Sequence, residues 1–254
     1  MPTAPLRVAI LGNDAVLEAR PATPMQLAQA CLRASFDLVV PASWGEELVA
    51  HQYAESLGHY DGPSPVLCHC PIVAQALADH SEHLPILTLA APPVATARYL
   101  RRVYSPRHLV ITYVGGCPGA VGSELDAALS PDRLLGILDD AGLSPSNQPE
   151  LYQSMIPPDR GRHASQPGGS PNAAFLQSEA GVSLREVSPA ALEVTRLSIA
   201  PQERVALDCT RLSGCVCAAQ AQAIVALEPP QRSAPVVARY DLDLRAVAFR
   251  TASA

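Results

Sequence analysis

The chain has 254 residues, 48% hydrophobic and 17% charged, with a formal net charge of -6, enough apolar material for one large or two small cores without crosslinks. All 18 basic residues are arginine, which excludes Schiff-base lysine chemistry and the Walker-A phosphate loop. No basic run exceeds Arg101-Arg102, so no nucleic-acid partner is expected.

The opening "MPTAPLRVAILGNDA" lacks a charged start followed by a long apolar core, and no stretch approaches the roughly 18 apolar residues of a membrane span. No membrane insertion is expected, and the expected compartment is the cytoplasm. There the seven cysteines are reduced, and their odd number favours metal ligation or catalysis over a disulfide framework.

In chain order, Arg7 to Gly12 and Phe36 to Pro41 read as strands. Between them Thr23, Pro24 and Gln26 supply an N-cap, a first helical residue and a capping-box partner for a helix that carries Cys31 on its apolar face. We read Cys31 as structural. "SPVLC" predicts a strand, Ile72 to Ala78 a helix, and His108 to Gly116 a further strand. A helix over Pro131 to Ala141 has Ser130 as N-cap and Gly142 as its stop.

Residues 157–173, "PPDRGRHASQPGGSPNA", predict a loop or disordered excursion, with His163 solvated. Order resumes with "SLREV", a helix starting at Ser188-Pro189, and a strand over Arg204 to Cys209. The segment 229–254 reads as a C-terminal arm beyond a domain spanning 1–228. Alternating strands and helices predict an α/β architecture with mostly parallel sheets.

Six cysteines fall in three patches, each directly after a predicted strand: Cys68 and Cys70 in "VLCHCP", Cys117 in "VGGCPG", and Cys209, Cys215 and Cys217 in "LDCTRLSGCVC". Loops leaving the carboxyl ends of parallel strands gather at one sheet edge, so the patches converge. Four soft anionic thiolates suit the corner irons of a 4Fe-4S cube, and the neighbouring glycines let backbone amides approach its sulfides. Two other readings stand beside this one. Zinc could take Cys68, Cys70, Cys215 and Cys217 with His69 in reserve, although the C-x2-C spacing of structural zinc sites is absent. Alternatively, the thiols pack without metal.

"TPMQLAQACLRASFDLVVPASWGEELVAHQY", then "LCHCP", "YVGGCPG" and "LSGCVCAA" in that order resemble the catalytic domain of the iron-only (FeFe) hydrogenases. The resemblance runs from about residue 5 to residue 225. It implies two α/β lobes with the cysteine site between them and a 4Fe-4S cluster held by Cys70, Cys117, Cys215 and Cys209. Cys217 competes for the fourth place, and Cys68 and His69 are possible substitutes or second-shell groups.

Four departures bear on function. His69 stands where active members of the family have a proton-relaying cysteine, and Ala120 where they have a lysine. Ser123 occupies the place of an acid, and "VCAA" replaces a glycine triplet. The resemblance therefore implies an electron-transfer or redox-sensing subunit without hydrogen activity, served by a protein redox partner or larger complex. The alternatives are a divergent hydrogen-sensing or hydrogen-converting enzyme and a zinc-stabilised or metal-free interaction module. Trp44 and Glu46 read as a lobe-packing anchor and a solvated carboxylate. His80 and His83 read as surface residues.

Overall fold

Val8 and Ile10 enter one apolar core while Ala9 and Leu11 enter another, so the first strand is covered on both faces, as strands of parallel sheets are. The same alternation recurs at Leu38 and Val40 against Val39 and at Val66 against Leu67. The computed structural model describes residues 4–78, 84–150 and 162–227. Residues 157–161 of the expected excursion, His80, His83 and the segment 229–254 lie outside them.

Two four-stranded sheets result, each parallel throughout. The first runs β2-β1-β5-β6, with β1 Leu6–Leu11, β2 Leu38–Pro41, β5 Leu109–Val114 and β6 Ala127–Leu129. The second runs β4-β3-β8-β7, with β3 Val66–Cys68, β4 Ile86–Thr88, β7 Ser183–Glu186 and β8 Val205–Asp208. Helices flank both: α1 Asn13–Glu18, α2 Pro24–Arg33, α3 Ser43–Gly58, α4 Pro71–Ala76, α5 Pro92–Tyr104, α6 Pro131–Asp140, α7 Ala173–Ala180, α8 Leu192–Leu197, α9 Val216–Ala219 and α10 Ala221–Val225. The α/β class and parallel sheets are as the sequence predicts. Among the described residues no helix is long and apolar enough to cross a membrane.

Local signals held where the chain satisfies them alone. The capping box forms, with Gln26 N donating to Thr23 Oγ1 at 3.2 Å and Thr23 N to Gln26 Oε1 at 2.9 Å. Ser130 takes the N-cap position of α6 but gives no side-chain cap, because its hydroxyl bonds the Asp132 carboxylate instead. The helix expected from Ser188-Pro189 begins as a 3-10 turn, Pro189–Ala191, before α8.

α3 is absent from the elements that the sequence predicts. "SWGEEL" forms its start, and Trp44 packs against the first sheet's core as an anchor. Its sequence shows no clean one-sided stripe, because Gly45, Val49, Ala50, Tyr53, Ala54 and Leu57 are all buried between the second sheet, α5 and α7. Gly45 allows the close crossing: a Cβ there would overlap the Pro92 carbonyl oxygen and the Thr96 hydroxyl. Gly45→Ala is expected to destabilise the fold by about 1–3 kcal/mol, the usual range for overpacking, read as a lowered thermal midpoint.

Candidate metal centre

Four of the strands that feed the site are the inner pairs of the two sheets, β1 with β5 and β3 with β8. Their carboxyl ends deliver Asn13, Cys117, the His69-Cys70 pair, and Cys215 with Cys217 to the wall of one cavity. Glu46 arrives after β2, Pro92 and Pro93 after β4, and Gly168 from the segment before α7. This is the edge where ligands of open parallel sheets bind. The cavity contains about 370 Å³ of atom-free space, part of it open to solvent.

Cys70, Cys117, Cys215 and Cys217 all line this cavity. Cys209 does not. It is fully buried in the second sheet's core with Cys68, and its carbonyl accepts from the Ser213 hydroxyl at 2.7 Å and from the amides of Leu212 and Ser213. Cys31 is fully buried under the first sheet, and burial pushes its thiol up to about 12.

Three of the cavity's sulfurs also share a feature that Cys209 lacks. Backbone amides of Val73 and Ile72 bond Cys70, that of Gly119 bonds Cys117, and that of Ala218 bonds Cys215. Cys217 lines the same cavity wall as Asn13. For Cys209 the surroundings contribute burial and the nearby Asp208 and Cys68, which push its thiol up to about 12.

Burial also raises Cys117 to about 11 and Cys217 to about 12. A hydrogen bond from the Cys215 thiol holds Cys70 near 6 and pushes Cys215 upward.

His69 is held at both ring nitrogens. Nε2 donates to the Gly168 carbonyl at 2.6 Å, so Nδ1 accepts from the Tyr53 hydroxyl at 3.0 Å. The Gly168 carbonyl and the Tyr53 hydroxyl thus anchor the ring from two sides.

Glu46 is not a solvated carboxylate. It is 2% exposed and ion-paired with Arg162, itself 6% exposed. It also accepts from Asn13 Nδ2 at 2.8 Å and from Gly168 N at 2.6 Å. Next in sequence, Glu47 takes the amides of His163, Ala164 and Ser165 at 2.8–3.1 Å.

These bonds explain why residues 162–171 pack although they are poor in apolar side chains. Carboxylates from α3 accept from the segment's backbone N–H groups, so the segment is buried without leaving those donors unpaired. Arg162, Ser165 and Ser170 are buried, and His163 is exposed as expected. Gly168 and Gly169 sit at φ +101 and +99, in the left-handed region that glycine tolerates. A Cβ on Gly168 would lie 3.5 Å from Cys215 Sγ. Nothing local marks Asn13 or Arg162 as site residues, because their partners lie up to 149 residues away.

Solved structures with a similar fold include hydrogenases. A variant of the FeFe-hydrogenase HydA1 from Chlamydomonas reinhardtii superposes with a TM-score of 0.55 at 14% identity, covering 91% of this chain and 87% of that one. HydA(deltaEFG), a structure described as revealing stepwise H-cluster assembly, gives 0.53 at 12% identity, over 89% and 86% of the two chains. The fold is that of the FeFe-hydrogenases. A third such hydrogenase, from work on oxygen inactivation through the 2Fe subcluster of the H cluster, gives 0.51 at 13% identity, over 91% and 87%. No protein-family model matches the chain, and neither does any curated protein sequence.

Proposed function

We propose that Cys70, Cys117, Cys215 and Cys217 hold a 4Fe-4S cluster, and that the chain is an electron-transfer or redox-sensing subunit without hydrogen activity. The observation that carries this reading is four thiols from three distant loops on one cavity wall. Cys217 takes the place that the family resemblance gave to Cys209, because Cys217 lines the cavity while Cys209 is enclosed in the core.

The donor set fits the group. All four donors are sulfur, three of them bonded by backbone amides that stabilise anionic sulfur. The C-x2-C spacing of structural zinc sites is absent from the sequence.

When bound, such a cluster supplies one-electron storage. The chain's own part is to exclude water and fix the donors. Segment 162–171 covers the cavity through Glu46 and Glu47, and His69 ties the Cys70 loop to it through Gly168. Both nitrogens of His69 are engaged, Ala120 stands where the resemblance places a lysine, and the sequence contains no lysine. These features support a site reduced to electron transfer. The three remaining cysteines are too few for a second cube, so electrons reach this one from a separate redox partner.

Anaerobically purified protein is expected to be brown, with about four irons and four sulfides per chain, a paramagnetic signal on reduction, and no hydrogen evolution after co-expression with diiron maturation proteins. Colourless protein, or protein carrying zinc, would overturn the reading. Sustained hydrogen evolution would replace it with a hydrogen-converting enzyme.

A further inference from the structure

Residues 164–172 form a loop stitched to itself. Asn172 N donates to the Ala164 carbonyl at 2.6 Å, Gln166 N to the Ser170 carbonyl at 2.7 Å and Gly169 N to the Gln166 carbonyl at 3.0 Å, and Ser165 and Pro171 make an antiparallel bridge. These bonds lie within the loop, so it can keep its shape whether or not it rests on the body of the fold. Its tip meets the cavity. Gly168 lines the wall, and a Cβ on Gly169 would lie 3.1 Å from His69 Nε2.

What holds the loop down is polar. Among the described residues, none of the four apolar cores includes a residue of it. At its near end Glu47 Oε1 accepts from His163 N at 3.1 Å, Ser165 N at 2.8 Å and Ser165 Oγ at 2.6 Å, and Oε2 accepts from Ala164 N at 3.0 Å. Three successive amides converge on one carboxylate, the arrangement of an anion-binding nest, with the chain supplying its own anion. At the tip Glu46 accepts from the Gly168 amide, and His69 donates to the Gly168 carbonyl. The far end is fixed, because Asn172 is the N-cap of α7 and Leu176 of that helix is fully buried in the second sheet's core. A loop that keeps its shape, fixed at one end and bonded to one side chain at the other, can open as a unit when those bonds break.

We propose that Glu47 is the positioning residue that latches this loop over the cavity, and that release of the latch opens the cavity to solvent and to incoming iron. The proposal rests on the reading that the cavity holds an iron-sulfur cluster.

The test measures the release of iron to a ferrous chelator from anaerobic, cluster-loaded wild type, Glu47→Ala and Glu47→Gln. Release is expected to be about tenfold faster in Glu47→Ala, since each charge-assisted hydrogen bond lost makes opening easier. Glu47→Gln keeps one acceptor oxygen and should be accelerated less. Sodium formate should slow release from Glu47→Ala by refilling the nest, and sodium chloride at equal ionic strength should not. A variant that loses iron through general destabilisation would not respond to formate. Wild-type release rates in both variants, or an acceleration that formate leaves unchanged, would overturn the proposal.

If the variants fail to fold, amide hydrogen exchange of the wild type decides the matter. Residues 163–165 are expected to exchange through a local opening, faster than the amides of β1 and β5 and with little dependence on denaturant. Exchange of both sets together, through global unfolding, would sink the latch. A wild type that carries no iron removes the cluster reading, and the proposal with it.

Discussion

Cys217→Ala protein is expected to lose the cluster, and Cys209→Ala protein to keep it. Iron and sulfide analysis of the two anaerobic variants beside Cys117→Ser measures the difference. A cube binds through four thiolates, and the cavity wall has Cys70, Cys117, Cys215 and Cys217 on it. Removing Cys217 leaves three, and Cys209 is no replacement: it is fully buried in the second sheet's core, and its backbone closes the turn to Ser213. Iron should fall from about four per chain to a small residue in Cys217→Ala and in Cys117→Ser. Cys209→Ala should stay near four and lose about 1 kcal/mol of stability, the order expected for one small buried group. The reverse pattern, with Cys209 essential and Cys217 dispensable, would mean that the loops after β8 rearrange around the metal.

Sequence spacing located three sides of this site because the relevant signals are local. Apolar runs that end in or are followed within three residues by cysteine give β3, β5 and β8, and parallel strands send their following loops to one edge. The choice between Cys209 and Cys217 was not legible. Both follow β8 within nine residues, and only the turn at Cys209 and the helix beginning at Val216 decide which thiol faces the cavity.

Glu46 failed for a different reason. A carboxylate in the first turn of a helix is ordinarily solvated, and nothing near it in the sequence announces a cation 116 residues away. The same holds for segment 162–171, whose composition suggests disorder until Glu47 supplies acceptors for its backbone. Polar burial depends on pairing across the fold, and periodicity carries no record of it.

Arg162→Met is expected to cost about 3–5 kcal/mol of stability, the range for breaking a buried pair by removing one partner, and to lower the thermal midpoint by roughly 10 °C for a chain of this size. The cause is the carboxylate left behind. Glu46 is 2% exposed, and without the guanidinium its charge is met by the amides of Asn13 and Gly168, which are dipoles and not a counter-ion. Adding Glu46→Gln should restore most of the loss, because a neutral amide keeps an acceptor for Gly168 N and removes the buried charge. If the cost came from lost packing of the long arginine stem, the second substitution would restore nothing. The two variants also bear on the metal centre. Arg162→Met leaves an unbalanced negative charge beside Cys217 and frees the Asn13 oxygen, so its cluster potential should fall below the wild type's. The double variant removes that charge and should recover part of the fall. Stability and potential moving together through these two substitutions would mark the ion pair as a support for the sulfur environment, and a change in stability alone would confine it to the fold.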